Sequence, residues 1–336
     1  MKTNAVILLL LCLMVSCNDH RLNFDRGIIP PVAVNFSKVN SQYDDYNSDL
    51  EITWASKTFS LIFSSSRKSS GDNFDFIGYR GKIFFDLITG EFRMETGGFT
   101  YSVLDGINSS GNEFGPYFTA DYENEWYEPG ENQACRFLFT SDHSGDQDIY
   151  CRYYTLGEHM DFIPSGGVEP VDGVNTEHNE AYLTINSNEI DNREVAYFSS
   201  DRDGTWDLWQ AVSEEGKLIN ESVNPAISKV TQLSGGSDER CPYVNGRIMV
   251  FASDREGGHG GFDLWYSLFD GQGWSAPVNF GDEINSANDE FRPVVVSTPE
   301  KEFLNDLMIF SSDRPGGKGG FDLYYAGITR HDYAPD

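Results

Sequence analysis

The stretch IFSSDRPGGKGGFDLY, residues 309–324, decides the fold. An apolar start at Ile309 and Phe310 runs into a turn rich in Ser, Asp and Gly, and Asp322 then opens a second apolar run. Gly and Asp supply the turn conformations that other residues resist, so the stretch reads as a β-hairpin. The same grammar recurs upstream as VFASDREGGHGGFDLW (250–265), YFSSDRDGTWDLW (197–209), LFTSDHSGDQDIY (138–150) and IFSSSRKSSGDNFDF (62–76). The anchoring rings Phe63, Phe139, Phe198, Phe251 and Phe310 are spaced 76, 59, 53 and 59 residues apart. Self-similarity at such a period signals a repeat architecture.

A second element precedes each hairpin. Asn285-Ser286 is followed by Glu290 and Pro293, Asn108-Ser109 by Glu113 and Pro116, Asn175-Thr176 by Glu180, and Asn40-Ser41 by Asp45. The remaining copy keeps Glu239 and Pro242 but has Ser234 at the Asn position. Lone hairpins are marginal, whereas radial repetition of small sheets covers their faces and leaves only short edges. The expected fold is all-β: a propeller of five blades of four-stranded antiparallel sheet. A sixth, degenerate blade inside the long first spacing, around Gly81 to Tyr101, is the alternative.

The Asn-Ser, Glu, Pro, FSSDR, Gly-rich turn and FDLYY pattern resembles the TolB-like (WD-type) β-propeller repeat of bacterial envelope proteins, over about residues 30–326. Ser66 and His143 depart from the SSDR pattern in the first and second copies. The resemblance implies a non-catalytic binding or scaffolding module with an envelope protein as partner. The alternative is a glycan-binding or glycoside-hydrolase-like propeller working at the mouth of the central channel; the reading leans away from an enzyme. No Gly-x-Ser-x-Gly elbow and no His-Glu-x-x-His spacing is present to suggest other chemistry.

The repeats also specify a ring closure. PVNFGDEINS before the fifth copy reads like PVAVNFSKVNS near the start, so Val32 to Phe36 should pair as an outer strand with Leu323 to Ala326. Upstream, the apolar run Ala5 to Val15 is too short to span a bilayer and suits a signal-peptide core. It ends at Ser16-Cys17, like a lipoprotein processing site. The expected organisation is a signal peptide at 1–16, a tether at 17–29, one propeller domain at 30–330 and a tail at 331–336. Cys17 is the expected lipidation site, which would anchor the chain to a bacterial outer membrane.

The net charge is −29, and removing residues 1–16 deletes one lysine and no acid, leaving −30. Nucleic acid is excluded as a partner by this surface, and no oligomer is expected. Candidate ligand groups are the repeat acids Asp45, Glu113, Glu180, Glu239 and Glu290, which should gather at one channel mouth. If not hydrogen-bonded within the blades, such a ring calls for a cation. Asp201, Asp203 and Asp207 in DRDGTWD could wrap Ca²⁺ but lack the full loop spacing, so no cofactor is required. The insertion 118–134 offers Tyr122, Trp126 and Tyr127 to a partner or a sugar. Cys135 and Cys151 flank the second hairpin; a turn centred near Ser144 would bring them within about two residues of register, close enough to consider a cross-strand disulfide, but buried free thiols are the expectation.

Overall fold

The computed structural model describes residues 24–331 apart from 99–101, 121–132, 157–161, 189–192 and 214–223. It is an all-β propeller of five antiparallel sheets. Blade one comprises β2 (Asp45–Thr53), β3 (Thr58–Ser65), β4 (Asp75–Phe85) and β5 (Phe92–Gly98). Blade two comprises β6 (Glu113–Ala120), β7 (Gln133–Ser141), β8 (Asp148–Leu156) and an outer edge split between β9 (Phe162–Pro164) and β10 (Glu169–Pro170). Blade three comprises β11 (Glu180–Asn188), β12 (Arg193–Ser200), β13 (Asp207–Val212) and β14 (Ala226–Lys229). Blade four comprises β15 (Glu239–Asn245), β16 (Ile248–Ser253), β17 (Asp263–Leu268) and β18 (Val278–Asn279).

Blade five is assembled from both ends of the chain. β19 (Glu290–Val296), β20 (Asp306–Ser312) and β21 (Asp322–Ile328) are completed by β1 (Val34–Asn35), with Val34 opposite Tyr325 and Asn35 opposite Tyr324. Such a closure removes the open edge that a linear array of sheets would leave. The long first spacing is filled by an extended β4 and its partner β5, so it holds no sixth blade. Residues 24–29, within the expected tether, pack on the ring: Gly27 bridges Phe303 and Ile29 is fully buried.

Each anchoring phenylalanine seeds a different interblade core. Phe63 lies between blades five and one, Phe139 between one and two, Phe198 between two and three, Phe251 between three and four, and Phe310 between four and five. All five are at most 3% exposed. Burying one such ring contributes about 1.5–3 kcal/mol, so the repeated aromatic is what glues neighbouring blades.

The register also fixes how the two hairpin cysteines stand. Cys135 faces Tyr154, whereas Cys151 faces Leu138. Three positions of offset, an odd number, put the two thiols on opposite faces of blade two. Cys135 enters the core toward blade one and Cys151 the core toward blade three, both are buried, and they form no disulfide with each other.

Candidate functional site

The repeat acids are set by local chemistry. Glu290 accepts the Ser286 N–H (2.9 Å), the Ser286 hydroxyl (2.7 Å), the Ser312 hydroxyl (2.8 Å) and Arg314 Nη2 (2.9 Å). Glu180 repeats this with Thr176, Ser200 and Arg202. Asp45 does so with Ser41, Ser65 and Arg67, and Glu239 with Gly235, Ser253 and Arg255. Glu113 has Ser109 and Ser141 but no arginine. All five carboxyls are at most 1% exposed. Burial pushes Glu239 up to about 7 despite its guanidinium partner, and it raises Glu113 and Glu290. The structure therefore places each acid inside its own blade, tying the lead-in segment to the hairpin.

The Asn that precedes each acid by five positions works as a short strand. Asn285 Oδ1 accepts the Leu264 N–H (2.8 Å) while its Nδ2 donates to the Leu264 carbonyl (3.0 Å). Asn108 and Asn175 pair in this way with Phe76 and Ile149 of the preceding blade. Ser234 does the same with one hydroxyl, on Leu208.

Positions that do not repeat meet at the axis. Two residues after the acid, every innermost strand bulges through a left-handed backbone conformation, at Asn47, Gly115, Tyr182, Cys241 and Arg292, with φ between 47° and 62°. Four of these are not glycine, and strain of this kind concentrates at functional sites. Part of it is offset by hydroxyls of the preceding blade, which accept the Asn47, Tyr182 and Cys241 N–H groups. Arg292 is fully buried and crosses the axis, with Nη2 on the Pro116 carbonyl (3.0 Å) and its guanidinium over the Tyr182 and Tyr243 rings (5.9 Å each).

Four residues after the acid stand Asp49, Tyr117, Thr184, Tyr243 and Val294. Beyond them the strand ends open into an axial pocket of about 440 Å³ to which all five blades contribute. Its polar lining includes Asp49, Glu51, Asn186, Asn245 and Ser297, beside the rings of Tyr117, Phe118 and Tyr243. The Asp49 carboxylate is 6% exposed and accepts the Phe118 N–H from blade two (2.8 Å). Burial pushes its pKa up to about 6, against the opposing pull of that N–H and of Arg292. Glu51 is exposed at the rim, and the partial desolvation it meets there raises it, with Arg80 working the other way. The opposite mouth, at the strand starts, is filled by aromatic rings: Tyr46 lies within 6.5 Å of Phe74, Phe114, Phe291 and Phe321.

The other expected groups sit elsewhere. Asp203 and Asp207 share the ammonium of Lys229 (2.9 and 2.6 Å), and Asp201 accepts from the Asn179 backbone and side chain. Among the described residues no cluster of three or more His, Cys, Asp or Glu is suited to a metal. Tyr122, Trp126, Tyr127 and Cys17 lie outside the described residues. Asp49 and Glu51 escaped sequence reasoning because attention went to positions that recur. Aligning the five copies on their acids and reading the positions that vary would have found the axis.

No family model and no curated protein matches this chain. Solved structures do share its fold. The ring is similar to a fructofuranosidase from Schwanniomyces occidentalis complexed with fructosylnystose (TM-score 0.52, 12% identity), covering 89% of this chain and 59% of that one. A structure described as a glycoside hydrolase matches at TM-score 0.51 and 7% identity, over 92% of this chain and 95% of the other. An exo-β-1,3-galactanase from Phanerochaete chrysosporium with β-1,3-galactotriose matches at 0.51 and 11%, over 90% of this chain and 64% of the galactanase. This chain thus spans about three fifths of the fructofuranosidase and of the galactanase. At such identities the likeness establishes the five-bladed fold. It also corrects the TolB-like resemblance, since the neighbours are glycosidase propellers. The expectation of a non-catalytic scaffold for an envelope protein falls with it.

Proposed function

We propose that the protein is a glycan-directed propeller of glycoside-hydrolase kind, receiving a sugar unit in the axial pocket at the strand ends. One observation carries this reading: a single buried carboxyl, Asp49, raised to about 6 by desolvation, faces a pocket of about 440 Å³ lined by tyrosine and amide groups. A carboxyl whose pKa is lifted to about 6, close to the working pH, is what a general acid at a glycosidic oxygen needs. Glu51, two positions along β2 and on the same face, is the second carboxylate. Strand rise separates the two backbone positions by about 6.7 Å, so the two side chains stand as neighbours on one face of β2. Tyr117 and Tyr243 supply apolar faces for the ring of the sugar. We further propose that Cys17 carries the lipid that holds this ring at an envelope membrane.

The test is hydrolysis and binding across a panel of neutral oligosaccharides with the wild-type chain, Asp49→Asn and Glu51→Gln. Turnover falls by about 10²-fold or more in Asp49→Asn with a melting temperature no lower than that of the wild type at the same pH. A wild-type chain that neither binds nor cleaves any glycan of the panel sinks the reading.

A further inference from the structure

Seven large hydrophobic side chains stand exposed among the described residues, and four of them, Ile28, Phe84, Ile88 and Leu304, gather at one rim of the ring. The segment 24–29 brings them together. The Phe24 N–H donates to the Leu87 carbonyl (3.1 Å), beside Ile88 at the tip of the β4–β5 hairpin. The Gly27 N–H donates to the Glu302 carbonyl (2.6 Å), and the Gly27 carbonyl accepts the Leu304 N–H (2.9 Å), which sets Ile28 next to Leu304. The Phe24 ring meets Phe85 at 6.2 Å and so leaves Phe84 on the other face of the hairpin. Hydrophobic side chains scattered singly over a surface are ordinary, whereas four at one edge mark a contact surface.

This rim belongs to the pocket end of the ring. Phe303, bridged to Gly27, rests on Trp54 at 5.5 Å, and Trp54 Nε1 donates to the carbonyl of Ser297 in the pocket wall (2.9 Å). Charges around the rim nearly cancel: Arg26, Lys57, Lys82 and Arg93 stand against Asp25, Asp86, Glu91, Glu95 and Glu302, on a chain of net charge −29. An anionic surface that repels the chain as a whole is therefore tolerated here. The same segment identifies the occupant. Cys17 stands seven positions before Phe24, and seven residues reach at most about 25 Å. A lipid on Cys17 lies no farther than that from Phe24, so it draws this side of the ring to the bilayer.

We infer that this rim rests on the bilayer surface, with Ile28, Phe84, Ile88 and Leu304 entering the headgroup boundary and the pocket mouth held beside the membrane. The inference rests on the proposed lipid at Cys17. A lipid keeps the chain near the bilayer but leaves its orientation free, and the apolar rim is the second signal that fixes it. Arg93, whose guanidinium lies over the Phe84 ring at 5.5 Å, reaches toward headgroup phosphates from the flank of the hairpin.

The experiment reconstitutes the full chain, produced as a lipoprotein, into vesicles of phosphatidylethanolamine and phosphatidylglycerol. An environment-sensitive fluorophore is attached to Ile88→Cys, Leu304→Cys or Glu256→Cys, the last in an exposed blade-four turn at the opposite end of the ring. Cys135, Cys151 and Cys241 are buried and stay unlabelled. Bromine on the lipid chains quenches the labels at positions 88 and 304 several-fold and spares the one at 256. Leu304→Asp, added to Ile88→Cys, reduces that quenching while the chain stays with the vesicles. The mass of the N-terminal peptide reports the lipid. A lipidated Cys17 with all three labels unquenched overturns the inference and leaves the anchor standing, whereas a Cys17 without lipid overturns both. Equal quenching at all three positions, as in a ring that tumbles at the surface, also overturns the inference.

Discussion

Asn40 and Leu323 are 283 positions apart, yet the Asn40 side chain pairs with the Leu323 backbone in both directions: Nδ2 donates to its carbonyl and Oδ1 accepts its N–H, each at 2.9 Å. The Phe36 N–H reaches the same carbonyl at 2.8 Å. In the other blades the equivalent bonds join consecutive parts of the chain; here they join its two ends. Asn40→Ala strands the buried Leu323 N–H at the closure, costing about 1–3 kcal/mol, while the carbonyl keeps the Phe36 N–H. The expected drop in melting temperature is roughly 2–5 °C. Proteolysis should then start at the N-terminal segment, and differential scanning calorimetry with limited trypsin digestion checks both.

A second joint is ionic. Arg136 of blade two and Glu194 of blade three form a bidentate pair at 2.9 and 2.5 Å, with side chains only 3% and 6% exposed. Removing one partner leaves the other charge buried without its bidentate counterion. Arg136→Ala should therefore cost about 3–5 kcal/mol, whereas replacing both by apolar residues of similar size is near neutral. Chemical denaturation of Arg136→Ala, Glu194→Leu and the Arg136→Met/Glu194→Leu double variant checks the sign of the coupling. Additive losses in the double variant would mean that the pair does not act as a unit.

The sequence was legible where it repeats. The FSSDR and FDLY runs, the Asn and the acid all recur because each does one structural job in every blade, so five copies of one signal could be read against each other. β1 was legible for the same reason, as a copy of the strand that ends blade four. The axis was not. Asn47, Gly115, Tyr182, Cys241 and Arg292 share one backbone conformation and one place in the ring, but their side chains have nothing in common. A position that varies looks like noise until the ring brings its five versions together. For the cysteines the hairpin turn does centre near Ser144, yet Cys135 opposite Tyr154 and Cys151 opposite Leu138 stand three positions out of register, so no bridge joins them.

Asp49 links the pocket to stability, and the sign is fixed by the direction in which its pKa moves. Its folded-state value, about 6, lies above the ordinary 3.8. Between those values the native chain holds a proton that the unfolded chain has released. Stability is thus greatest below pH 4 as far as this group is concerned, and falls as pH rises toward and past 6. The full loss is about 3 kcal/mol, because each tenfold change in a protonation constant is worth about 1.4 kcal/mol. Glu239, raised to about 7 by burial, adds a loss of the same sign that continues to a higher pH. Asn at position 49 cannot ionise, so Asp49→Asn should flatten the fall between pH 4 and 6 and leave the Glu239 part in place. Urea denaturation of both chains across pH 4–8 reads this directly. Parallel curves for the two proteins would show that Asp49 ionises freely, and the pocket would then lack its proton-holding carboxyl.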